Sequence, residues 1–176
     1  MIKQEIIRQL ETNHNEFIDL LLSLNEKDFL LSTNNKWTAG QQFKHICLSV
    51  SPLAPGLRLP VIFLKLLFGK ANRPSKTYDG LVAKYHDKLQ KGGVASGRFV
   101  PKPVVFAQRE DLKRKLSGSV KQLCKNVEGF TESQLDEYIL PHPLLGKLTV
   151  REMLYFTIYH AQHHKKIILQ SLGRPA

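Results

Sequence analysis

Near its C-terminal end the chain runs Tyr159-His160-Ala161-Gln162-His163-His164, so three histidines fall within five residues. His160 and His164 are four apart. On a helix their side chains lie about 40° apart in azimuth, one turn above the other. That spacing can offer two imidazoles to one metal ion. The same spacing also suits two core histidines bonded to backbone or water, because an unpaired buried imidazole nitrogen is costly. The pattern is not the His-Glu-x-x-His of zinc proteases: Ala161 follows His160, and no adjacent glutamate is supplied as a base.

A metal site needs more than two ligands. His45 is the only other histidine set at the edge of a well-defined apolar face in a strong helix. His14, beside Asn13 and Asn15, reads as a surface residue rather than a ligand, and His86 also lies in polar surroundings. His142 sits between Pro141 and Pro143, where it either lines a pocket mouth or is simply exposed. Gln42, one turn before His45, joins His142 and His163 as a candidate for a supporting or pocket role.

The elements that must position these groups are helical. Ile2, Ile6, Leu10, Phe17, Leu20, Leu21 and Leu24 recur at helical spacing, which predicts a long amphipathic helix over 2–24. Residues 25–36 read as a loop with a short turn at 26–30. The second helix opens at Trp37-Thr38, where Thr38 and Gln41 fit a capping box, and ends or kinks at Ser51-Pro52. Pro55-Gly56 reads as a breaker. Pro60 suits the first turn of an apolar helix over 61–68, either a core helix or a hydrophobic flap. A short helix over 78–89 and a Gly/Pro-marked loop follow. The glycines make no phosphate-binding motif, since no Gly-Lys-Ser/Thr follows them. Leu112, Leu116, Val120, Leu123 and Val127 mark a helix over 109–127. A helical turn is expected over 131–138, then an extended loop at Pro141-His142-Pro143.

The last helix has the clearest start. Thr149 and Glu152 fit a capping box, with Leu148 and Met153 as a hydrophobic staple around it. Val150, Met153, Leu154, Thr157, His160, Ala161, His164, Ile167, Ile168 and Leu172 fall within a sector of roughly 140°. Arg151, Tyr155, Gln162, Lys166 and Gln170 fall outside it, and His163 sits on its flank. Gly173 and Pro175 end the helix. No strand signal of comparable strength is present. The expected fold is all-α, a four-helix bundle with long connections in one domain over 1–176.

The composition narrows the function classes. The chain has 176 residues and is 42% hydrophobic, long enough for a real core and too apolar for disorder. Cys47 and Cys124 show no metal-pair or disulfide-framework spacing and read as two reduced thiols. The start Met1-Ile2-Lys3-Gln4-Glu5 lacks the basic and apolar run of a signal peptide, so a cytoplasmic location is expected. The formal net charge is +11. Residues 57–125 hold sixteen Lys/Arg and four Asp/Glu, so that segment carries the whole excess. It suits an anionic small molecule, nucleic acid or a phospholipid surface, or serves as a solvated face.

The order of features resembles the DinB-like superfamily (DinB/YfiT-like metalloenzymes). Its members share a Trp-Thr/Ser start to the second helix with a Gln and a His further on, matched here by Trp37-Thr38, Gln42 and His45. They share a His-x-x-x-His followed by apolar positions in the last helix, matched by His160, His164 and Ile167-Ile168. The segment from His142 to Thr149 is similar to the loop before the last helix in one branch of that superfamily. The resemblance implies an up-down-down-up four-helix bundle and a metal site formed by His45, His160 and His164. The metals it implies are zinc, nickel or iron. It also implies, for some members, transferase or isomerase chemistry with a low-molecular-weight thiol. The chain departs from the simplest pattern in its basic, Gly/Pro-rich insert of 53–107, between the second and third long helices.

The expected function is therefore a metal-dependent enzyme, a thiol S-transferase or hydrolase acting on an anionic small molecule. Three neutral imidazoles leave a divalent ion its charge and an open position. The alternative is a non-catalytic helical binding protein whose 57–125 segment docks nucleic acid or an anionic membrane, and a third reading is a helical homodimer with a structural metal.

Overall fold

The computed structural model describes residues 1–33 and 36–175. The long periodic stretches are helices: α1 (Lys3–Ser23), α3 (Ala39–Val50), α7 (Arg109–Glu128) and α9 (Val150–Ser171), with a short α2 (Glu26–Leu30) between the first two. Asn34 and Asn35, within the loop expected over 25–36, lie outside the described residues. Both capping boxes form. Thr38 accepts from the Gln41 N–H while the Gln41 side chain accepts from the Thr38 N–H, and Thr149 and Glu152 repeat the arrangement. Helix α1 packs on α7 and α9, and α3 packs on the same two. Their apolar stripes meet in one core. Phe17 and Phe43 touch edge to face at 5.9 Å, and Leu10, Leu116 and Ile158 are fully buried around them.

Between α3 and α7 lie α4 (Leu53–Arg58), α5 (Val61–Phe68) and α6 (Tyr78–Gln90). Helix α4 forms where Pro55-Gly56 reads as a breaker. Pro55 occupies its first turn, where the missing N–H has no intrahelical partner to lose. After α8 (Glu132–Glu137) the chain makes two short strands that the sequence does not announce. β1 (Ile139–His142) and β2 (Gly146–Thr149) pair antiparallel, His142 opposite Gly146 and Ile139 opposite Thr149. Pro141 blends into an edge strand, and Gly146 takes φ 75° at the turn, so the expected extended loop is a hairpin instead.

The first half of α9 is buried on every side, which corrects the single-stripe expectation. Arg151 and Tyr155, outside the apolar sector, are 8% and 3% exposed. Helices α6 and α8 and the hairpin cover that second face. Arg151 reaches Asp136 at 2.6 Å and Glu132 at 2.7 Å, and its remaining guanidinium N–H donates to the Met1 carbonyl. Glu152 is fully buried and accepts from both Arg73 nitrogens, 2.6 and 2.8 Å away, and from the Lys76 N–H. A polar strap from the insert thus holds the N-terminal end of α9. Burial works against ionisation of Glu152. The Arg73 guanidinium and the two backbone N–H groups outweigh it and hold the carboxyl below its ordinary range.

Candidate metal centre

Helix α3 contributes His45, and α9 contributes His160 and His164 across the packed α3–α9 face. All three are buried, and their ligand atoms lie within 4.8 Å of one another. The His160 Nε2 is 3.2 Å from the His45 Nε2 and 2.9 Å from the His164 Nε2. Three nitrogens about 2.0–2.1 Å from a tetrahedral ion sit about 3.3 Å from one another. The spacing fits one ion.

The outer nitrogens decide the chemistry of the inner ones. The His45 Nδ1 donates to the Phe99 carbonyl at 2.7 Å, and the His164 Nδ1 donates to the Gln42 side-chain oxygen. With Nδ1 protonated in both neutral rings, each Nε2 carries a lone pair aimed at His160. The single His160 ring proton can bridge one of them only. At least one Nε2 lone pair is therefore left without a hydrogen bond of its own in a buried site, an arrangement that a cation relieves. Burial lowers the His45 pKa, and burial followed by the neighbouring imidazoles keeps His160 and His164 well below the usual histidine range. The three rings are neutral at pH 7, the form in which imidazole binds metal. The cluster is poised to hold a divalent transition metal.

The DinB superfamily model matches residues 4–168. The chain belongs to the DinB superfamily. No curated protein matches it, and no solved structure matches it.

The supporting candidates divide. Gln42 is 4% exposed and orients His164. His142 lines a cavity of about 250 Å³ that also reaches His45 and His160. Its Nδ1 accepts from the Leu144 and Leu145 N–H groups, both at 3.1 Å, which leaves the ring proton of the neutral form on Nε2. Burial, then the charge of Lys84, pushes its pKa down to about 4. His163 stays out of the cluster. It lies 5.4 Å from the Tyr85 ring and 6.0 Å from the Tyr159 ring.

Four participants escaped the sequence. The Phe99 carbonyl comes from the insert, 54 residues from His45, and a backbone oxygen leaves no mark in a sequence. Tyr85 of α6 and Phe156 of α9 wall the cavity beside His160. The fourth is His14, which is 1% exposed rather than on the surface. Its polar neighbour Asn13 is also buried and donates to the Ile158 carbonyl, so this stretch of α1 presents polar groups to the core. The His14 Nδ1 donates to the Leu10 carbonyl at 2.7 Å, and its Nε2 has no hydrogen-bond partner among the described residues.

Burial pushes the His14 pKa down to about 4, against 6.5 ordinarily. Below 6.5 the unfolded chain takes up a proton there that the folded chain refuses, so His14 costs stability as pH falls from 6.5 toward 4. The slope is about 1.4 kcal/mol per pH unit. Stability of the metal-free protein is expected to fall between pH 7 and 5, and His14→Leu to flatten that fall by about this slope. Urea midpoints at the two pH values check it; an unchanged slope refutes the assignment.

Proposed function

We propose that this DinB-superfamily protein is a metal-dependent transferase or hydrolase acting on a small molecule bound beside the three-histidine centre. One observation carries the proposal: His45 and His160 belong both to the ligand cluster and to the wall of the 250 Å³ cavity. A metal there supplies Lewis acidity and a lowered pKa for a ligand at its open position. Zinc, nickel and iron all suit imidazole donors. A low-molecular-weight thiol as cosubstrate extends the proposal.

The chain's own groups have distinct parts in it. His45, His160 and His164 hold the metal, and Phe99 and Gln42 fix the orientation of two of them. Met153, Phe156 and Tyr85 give the cavity an apolar wall that excludes water. His142, with its proton on Nε2, offers a hydrogen-bond donor to a substrate oxygen. Arg98 lines the same cavity and supplies a positive charge for an anionic group. The same reading takes α1, α3, α7 and α9 as an up-down-down-up bundle with 53–107 as its insert.

Elemental analysis of tag-free protein tests the metal, and a screen of thiols against electrophiles with and without chelator tests the reaction. The expected results are about one equivalent of a transition metal per chain and turnover that chelator removes. Less than roughly a tenth of an equivalent, with no uptake on titration, removes the metal. Metal without chelator-sensitive turnover removes the enzyme and leaves the site.

A further inference from the structure

Helix α5 turns its apolar side outward. Leu66 and Leu67 are 72% and 62% exposed, Ile62 and Phe63 51% and 49%, and Leu59 just before the helix is 41% exposed. Leu64 is the buried residue of the helix. The segment Ala39–Arg58 and helix α5 bend by 114° where they join, and α5 rests on β1, so its outer side meets solvent. Soluble proteins rarely gather this many large aliphatic and aromatic side chains on one exposed helix without a partner.

The surroundings of the helix are cationic. Arg58 and Lys65 are exposed and form no ion pair among the described residues. The stretch from 57 to 125 carries sixteen Lys/Arg against four Asp/Glu. This combination separates the occupants that the face could take. A second copy docked through the same face would bring Arg58 and Lys65 against their own kind. A nucleic acid backbone satisfies the cations and leaves the leucines in water. An anionic lipid surface satisfies both, since acyl chains take the aliphatic side chains while headgroups take the cations. Eight residues of helix rise about 12 Å, well short of the roughly 30 Å of a bilayer core. No single helix among the described residues is long and apolar enough to cross a membrane. The contact is one of lying in the interface.

We propose that α5, with the Leu59 turn before it, is a peripheral docking element that seats this protein on an anionic phospholipid surface. Leu59, Ile62, Phe63, Leu66 and Leu67 enter the headgroup–acyl boundary, and Arg58 and Lys65 contact the phosphates. Phe68 at the end of α5 and Leu53 and Gly56 of α4 line the cavity, so docking brings one wall of the candidate site to the membrane surface.

Sedimentation with vesicles of phosphatidylcholine alone, or with about a third phosphatidylglycerol, tests this on the full chain, metal-free and metal-loaded. Binding does not depend on the metal, so its outcome is separate from that of the enzymatic proposal. The protein is expected to sediment with the anionic vesicles, and less so as salt rises. Lys65→Gln should lower partitioning about fivefold. Leu66→Ser combined with Leu67→Ser should lower it at least about tenfold. Both leucines are largely exposed, so the fold should be kept, which thermal unfolding checks. Leu67→Trp should show an emission blue shift on addition of anionic vesicles that the wild-type protein lacks. Absence of binding at low salt overturns the proposal. Binding that survives the double leucine change overturns it too, because charge alone would then account for the contact. A dimer that the double change splits, in a protein that ignores vesicles, assigns the face to a second copy instead.

Discussion

His160→Ala is expected to abolish tight metal binding. His160 sits between the other two ligands, 3.2 Å from one and 2.9 Å from the other, and no other described histidine replaces it in the cluster. Structural zinc sites bind with about 10–16 kcal/mol in all, so losing one of three protein ligands should cost about 3–5 kcal/mol, roughly two to four orders of magnitude in affinity. Titration with zinc or nickel, followed by calorimetry or a competing chelator, reads this directly. Thermal unfolding gives a second readout. A ligand at about a thousand times its Kd stabilises the folded state by about 4 kcal/mol. Saturating metal should therefore raise the wild-type midpoint and leave that of His160→Ala almost unmoved. Gln42→Ala should act more mildly, lowering affinity about 10–100-fold, because it frees the His164 ring without removing a ligand. Equal affinity in wild type and His160→Ala would take His160 out of the site.

Arg73→Ala is expected to destabilise the fold by about 2–3 kcal/mol. It strips the charged partner from Glu152, whose side chain is 0% exposed, while the Arg73 side chain is 36% exposed. Breaking a buried ion pair from one side costs about 3–5 kcal/mol. Solvent reaches the guanidinium, and the Lys76 and Thr149 N–H groups still hold the carboxylate, so the lower part of that range and below applies. For a chain of this length that is a fall in the melting midpoint of about 5–10 °C. The pH dependence has a definite sign. The folded-state pKa of Glu152 lies below 4.5, so the pair's contribution is complete above 4.5 and is lost as pH falls through the folded value. The gap between wild type and Arg73→Ala should therefore narrow in acid. Replacing both partners, Arg73→Met with Glu152→Gln, should cost less than Arg73→Ala alone, because no charge is left stranded. A gap that is constant down to pH 3 would show that Arg73 acts by packing rather than by charge.

The groups behind these two effects differ in how far the sequence reveals them. The His160–His164 spacing and the Thr149–Glu152 capping box are local: a helical period and a three-residue offset state them completely. The long helices were readable for the same reason, since a stripe of Leu, Ile and Val every three to four residues needs no knowledge of its partner. His45 was visible only as a histidine beside an apolar face. Its place in the cluster depends on how α3 lies against α9.

The features that periodicity hides share one physical cause. Periodicity reports a face buried by apolar contact, and several faces here are buried by polar contact. Arg151 reads as solvent-facing because it is charged, and it is buried because Asp136 and Glu132 of α8 compensate it. His14 reads as surface because it lies among polar neighbours, and it and Asn13 face the core through bonds to backbone carbonyls. The β1–β2 hairpin went unread because its four-residue strands, one containing Pro141, are too short for alternation to register.

What the sequence determined by itself, then, was an α-helical chain with its main helix starts, an i, i+4 histidine pair aimed inward, and a basic middle segment with an apolar run in it. The tertiary structure alone decided that the stretch between α3 and α7 folds back onto the helical core. It donates the Phe99 carbonyl to His45, sets Arg73 on Glu152, walls the cavity with Tyr85, and leaves Leu66 and Leu67 in water. Those contacts join residues many tens of positions apart through backbone oxygens and ion pairs. Neither kind of group carries a period, so only the packed chain reveals where they meet.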